Sequence, residues 1–74
     1  MPEKLEITNN IRTLRFFAKE MTQQELAERA GVSRQTIIAV EAGKYSPSLE
    51  LAFRIAEAFG VPITEVFGIE KKED

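Results

Sequence analysis

The stretch Met21–Ala42 reads MTQQELAERAGVSRQTIIAVEA, and its spacing decides the fold. Thr22-Gln23-Gln24-Glu25 has the form of a capping box, in which the Thr22 hydroxyl takes the N–H three residues on and Glu25 reaches back. A short helix therefore starts here and runs to about Ala30. Gly31 supplies the positive φ that stops it. Ser33 caps a second short helix that runs to about Ala42, where Gly43 ends it. Leu26, Ala27 and Ala30 face inward from the first helix and Ile37 and Val40 from the second, while Val32 plugs the turn. Ala27 is small where the helices cross, so the two backbones can approach closely. The expected product, over about residues 22–42, is a rigid corner that pushes one face of the second helix outward.

The rest of the chain reads as support for that corner. Before it, the spacing predicts a helix from about Asn9 to Lys19, with Ile11, Leu14, Phe17 and Ala18 on one face. Phe17 is expected in the core, and Phe16, on another face, is a dimer or core contact. After it, Ser46-Pro47-Ser48 opens a fourth helix with one serine as its cap. Leu49, Ala52, Phe53, Ala56 and Phe59 form the expected buried stripe. Gly60 closes this helix, and Pro62 to Phe67 make a short fifth one. Lys4-Leu5-Glu6-Ile7 and Phe67-Gly68-Ile69-Glu70 alternate polar and apolar residues. They either pair as a small antiparallel ribbon or fray as chain ends. Residues 70–74 read as a charged, solubilising tail.

Composition narrows the function. Seventy-four residues predict one domain, and a domain this short buries only about 60% of its unfolded surface. With no Cys and no His, disulfides, thiolate metal sites and the commonest acid–base catalyst are excluded. Subunit association is the staple left to so small a core. Ser33, Ser46 and Ser48 have helix-cap explanations, the carboxylates are scattered, and glycine spacing matches no phosphate-binding loop. An enzyme is not expected, nor a cofactor, metal or small-molecule ligand. No secretory or transmembrane run is present, which predicts a soluble, cytoplasmic protein without membrane partners. The net charge of −2 is unlike the basic footprint of a nucleic-acid binder.

Where the charges fall matters more than their sum. From the outward face of the corner's second helix project Arg34, Gln35, Ile38 and Ala39. Arg can bridge guanine O6 and N7, Gln can bridge adenine N6 and N7, and apolar side chains can touch a thymine methyl. A helix so presented can enter the major groove of double-stranded DNA, about 12 Å wide. Thr22, Gln23, Ser33, Thr36, Lys44, Tyr45 and Ser46 are the candidate phosphate-facing residues, with Gln23 in the first turn of a helix, where backbone N–H groups are free. Tyr45 either packs over its loop or touches DNA. Val61, Ile63, Val66, Phe67 and Ile69 are candidates for an apolar stripe covered by a second copy, with Phe67 also a possible core residue.

Taken together, the residues from Met21 to Ala52 resemble the phage Cro and repressor class of helix-turn-helix regulators. The likeness is strongest to a compact subgroup that includes the small cytolysin repressor, and it extends from Asn10 to Phe67. It implies a mainly α, five-helix, lambda-repressor-like domain that binds operators as a homodimer, and in that subgroup a two-stranded terminal ribbon. By position, Gln23 matches a phosphate-contacting Gln. Arg34, Gln35 and Ala39 match base-facing residues, and Gly43-Lys44 matches a backbone-contacting loop. Arg15 and Glu41 match a pair that bridges the first and third helices in some members. Three departures stand out. Ile38 and Ala39 are apolar where many relatives carry polar readers, Ala42 stands where Asn or Lys often touches phosphate, and one extra residue separates Arg15 from Thr22. The rival reading is a protein-interaction module on the same fold, an antitoxin or a coactivator-type bridging factor. The acidic balance and the apolar Ile38-Ala39 surface favour it.

Overall fold

A computed structural model of the chain describes residues 4–72. Their order is strand β1 (Lys4–Asn9), helices α1 (Ile11–Phe17), α2 (Gln23–Ala30), α3 (Arg34–Glu41), α4 (Leu49–Phe59) and α5 (Ile63–Val66), then strand β2 (Phe67–Lys72). The fold is thus mainly helical, with five helices and one two-stranded antiparallel sheet. The helix boundaries follow local chemistry. Thr22 accepts from the Glu25 N–H while the Glu25 carboxylate takes the Thr22 N–H, a complete capping box. Ser33 and Ser48 accept from the N–H groups of Thr36 and Leu51. Gly31, at φ 75°, turns the chain out of α2 in the left-handed region that a β-carbon resists.

Core packing centres on the corner. Leu26, Ala27, Ala30, Ile37 and Val40 are buried together with Ile11 of α1, Met21 before α2, Leu51, Ile55 and Ala56 of α4, and Val66 of α5. Val32 packs against this cluster from the turn. The ribbon then ties the two ends of the described chain together, with Ile7 opposite Ile69 and Thr8 opposite Gly68. Glycine gives close approach at that last position, since a β-carbon on Gly68 would lie 2.9 Å from the Thr8 hydroxyl and force that side chain to turn. Leu5, Ile7 and Ile69 share one face of the ribbon and are exposed.

Several expectations are corrected. Phe17 is not core but 76% exposed. Counting 100° per residue from Ile11, the inward slots fall on Leu14, Arg15 and Ala18, and Phe17 lies about 120° away. In α4 the buried stripe is Leu51, Ala52, Ile55 and Ala56, with Phe59 half-buried, whereas Leu49 and Phe53 are exposed. That helix is apolar on nearly every side, so periodicity alone does not fix its phase; packing against α2 does. Val66 is fully buried and cannot belong to an exposed stripe. The Asn10 N–H donates to the Val66 carbonyl at 2.8 Å, which holds α5 against the start of α1. Val61, Ile63 and Phe67 are half-buried against the core, and only Ile69 of that set is exposed. The fifth helix ends at Val66, and Phe67 already belongs to β2. Glu70 to Lys72 are likewise strand rather than tail, and Glu73 and Asp74 lie outside the described residues.

The turn between α1 and α2 takes an uncommon backbone path. Lys19 and Glu20 sit consecutively in the left-handed region, at φ 57° and 55°. Each costs roughly 1 kcal/mol or more for a residue with a β-carbon. Replacing either with glycine removes that cost against a smaller entropic loss. Lys19→Gly and Glu20→Gly are each expected to stabilise by about 0.5–1 kcal/mol, raising the melting temperature by roughly 2–8 °C. Thermal unfolding followed by circular dichroism reads this directly, and a lowered melting temperature in both variants would show that the turn is held without strain.

Candidate nucleic-acid interface

The outward face of α3 carries the four candidate base-facing residues. Arg34 and Gln35 are exposed in its first turn, just past the Ser33 cap, and Ile38 and Ala39 follow half-buried on the next. Ile37 and Val40, buried behind them, fix the rotation of the helix about its axis. At about 1.5 Å per residue, α3 is roughly 12 Å long, short enough to present all four side chains to a few base pairs.

Beneath this face lies a hydrogen-bonded hub. Arg15 donates from Nε and Nη2 to the two carboxylate oxygens of Glu41, each at 3.0 Å. Its Nη1 donates to the Met21 carbonyl, also at 3.0 Å. Both side chains are mostly buried, with 17% and 15% of their surfaces accessible. Gln23 Nε2 donates to the same carboxylate at 3.4 Å. Asn9 adds a clamp that sequence reasoning missed. Its Nδ2 donates to the carbonyls of Val40 and Glu41, and its Oδ1 accepts the Ile11 N–H. An Asn-Asn pair just before an apolar helical face signals a cap, but its reach across 31 residues leaves no trace in the sequence.

The candidate phosphate-facing residues do not form one cluster. Thr22, Gln23 and Arg34 line one groove together with Arg12 and Arg15. Tyr45 and Ser46 line a separate groove with Ile7 and Phe67 of the ribbon. Thr36 faces a third, beside Gly31, Tyr45 and Arg54. The hydroxyls of Ser33 and Thr36 contact each other at 3.0 Å, and Ser33 also holds the Thr36 N–H. Lys44 is exposed after the end of α3. Arg12, which the sequence did not single out, is exposed on α1 and lines two of the grooves beside Gln23.

Residues 11–66 match the helix-turn-helix family. An uncharacterised helix-turn-helix-type transcriptional regulator of Methanocaldococcus jannaschii is 60% identical over 53 residues, covering 72% of this chain and 80% of that one. A transcriptional repressor of the cryptic phage CTXphi, from Vibrio cholerae, is 39% identical across 80% of this chain but only 52% of its own length. Among solved structures, a candidate DNA-binding protein from Bacteroides fragilis superposes with a TM-score of 0.72. That match has 29% sequence identity and covers 84% of this chain and 98% of the other.

The hub makes a quantitative expectation. Removing one partner leaves a mostly buried charge without its counterion, so Arg15→Ala or Glu41→Ala is expected to destabilise by about 2–4 kcal/mol. The double variant loses less than the sum, with a coupling of about 1–3 kcal/mol. Urea unfolding of the four proteins measures the cycle, and additive losses would show that the pair does not couple the helices.

Proposed function

This chain belongs to the helix-turn-helix family of transcriptional regulators, and on that premise we propose that it reads double-stranded DNA in a sequence-specific way, as a repressor that binds a palindromic operator as a homodimer. The observation that carries the reading is the exposed Arg34–Gln35 pair, held at a fixed angle by a corner whose inward residues are buried. A recognition helix of this kind enters the major groove with its N-terminal residues on base edges. Arg34 then suits guanine, Gln35 adenine, and Ile38 and Ala39 the thymine methyl. Gln23 positions the protein on the backbone, with Thr22, Ser33, Lys44 and Ser46 as lesser candidates. Repression fits because occluding a promoter requires only binding, and the CTXphi relative is itself a repressor. A cytoplasmic location goes with a chromosomal target.

Dimerisation is supported by the size of the reading unit. One short helix reads too few base pairs to select an operator, whereas two related by a two-fold axis, about 34 Å apart, read a palindrome. With Val66 buried, the surface best suited to a second copy is the exposed ribbon face of Ile69, Ile7 and Leu5. The protein-interaction reading, resting on the acidic balance, the apolar Ile38-Ala39 surface and Ala42, gains from the structure the exposed Phe16 and Phe17 rings in edge-to-face contact at 5.4 Å. Such a module would show almost no affinity for duplex DNA even at low salt.

Two outcomes test the proposal. Gln35→Ala is expected to cost about 1–3 kcal/mol on the preferred operator, found by selection from random duplexes, while leaving affinity for other DNA nearly unchanged. Gln23→Ala weakens all sequences alike. Uniform loss in both variants would undo the division between reader and positioner. For the dimer, Ile69→Glu is expected to sediment as a monomer at micromolar concentration with its helical signal intact, and wild-type protein that is itself monomeric and binds a palindrome without cooperativity would overturn the two-fold arrangement.

A further inference from the structure

We infer that Arg12 of α1 is a backbone-gripping residue of this interface, which supplies to the groove between α1 and α3 the cation that α3 itself does not provide. The inference rests on the DNA-binding reading above. One wall of that groove carries Arg12 and Thr13 after the Asn9–Asn10 pair, and the α3 wall carries Ile38, Ala42 and the acceptor-only carboxylate of Glu41, with Gln23 also lining it. The α3 wall therefore offers no side-chain donor to a phosphate passing over it. Any charge-assisted contact there must come from α1.

The arginines nearby are not equivalent. Arg15 is committed to Glu41 and to the Met21 carbonyl, and Arg54 pairs with Glu50 on the far side of the corner. Arg12 is exposed and its side chain, among the described residues, makes no hydrogen bond or ion pair, although Glu20 lines the second groove it shares. A guanidinium presents five donors in a planar fork that matches a phosphate, and an uncommitted one loses no existing bond on binding it. Position completes the argument. Arg12 borders both grooves that Gln23 borders, one towards Arg34 and one towards Ala42. A strand that reaches the Gln23 amide therefore passes within reach of Arg12. Neutralisation of Glu41 by Arg15 leaves Arg12 and Arg34 as the cations of these two grooves.

The test is the salt dependence of binding to a mixed-sequence duplex, measured by fluorescence anisotropy with the full chain. Each phosphate contact contributes about 0.9 to the slope of log affinity against log salt. Arg12→Ala is expected to flatten the slope by roughly that amount while leaving sequence preference and thermal unfolding unchanged, and Arg12→Lys keeps most of it. Adding Ala42→Lys to Arg12→Ala, which returns a cation from the opposite wall, is expected to restore the slope. A steep wild-type slope that Arg12→Ala leaves intact would overturn the role of Arg12 while DNA binding stands. A wild-type protein with no salt-dependent affinity would overturn both.

Discussion

The helices of this molecule are oriented around one largely shielded carboxylate. Glu41 takes two charge-assisted bonds from Arg15 and a third, longer one from Gln23. Through Arg15 it also fixes the Met21 carbonyl at the entry to α2. Three helices and a connecting turn thus meet at a single pair of oxygens. Burying two charges rarely adds net stability, because desolvation consumes most of the attraction. What it adds is geometry, since a bidentate arginine fork tolerates little rotation. Apolar packing between α2 and α3 would permit small slides of one helix along the other. The hub, together with the Asn9 clamp on the last carbonyls of α3, opposes them.

That rigidity is useful only because the core around it is small and complete. Ala27 and Ala30 let α2 approach α3 and α4, and Leu26, Ile37 and Ile55 fill the space they leave. No cysteine or metal-binding histidine is available to staple the chain. The terminal ribbon serves instead, joining the segment before α1 to the segment after α5 and sealing Val66 beneath it. This leaves the apolar side chains of Leu5, Ile7 and Ile69 facing outward on one face of the ribbon.

Much of this was legible from sequence where the signal was local. Thr22 and Glu25, Ser33, Gly31 and Gly60 each announce a helix boundary through chemistry confined to a few residues, and the caps stand where that chemistry places them. Periodicity failed where it was degenerate. In α4, Leu49 and Phe53 make as good a stripe as Leu51 and Ile55, and only the partner helix chooses between them. In α1, hydrophobicity favours Phe17 over Arg15 for the inward slot, because the helix's own pattern does not reveal a counterion 26 residues away, which only the family resemblance supplies. The left-handed pair at Lys19 and Glu20 and the long reach of Asn9 were invisible for the same reason. Around the reading face the residue types are plain, but their division among three grooves is not, since the packing of α2 against α3 puts Gln23 and Thr36 in different grooves.

An acidic chain that approaches DNA has to arrange its charges, because the field at a phosphate is set by the groups within about a Debye length, roughly 10 Å. The sum of −2 is therefore less relevant than what faces the groove. The acid of α3, Glu41, is screened at short range by Arg15, so the pair is nearly neutral from outside. Glu25 is turned back onto the α2 cap, and Glu50 is matched by Arg54 away from the grooves that Gln23 borders. Arg34 and Arg12 remain on that side with their charge exposed. The same ion pair that holds α3 in position thus also neutralises the acid of α3 itself, leaving Glu20 of the α1–α2 turn as the exposed acid of the second groove, and the position and the charge of α3 at the proposed interface are set by a single pair of side chains.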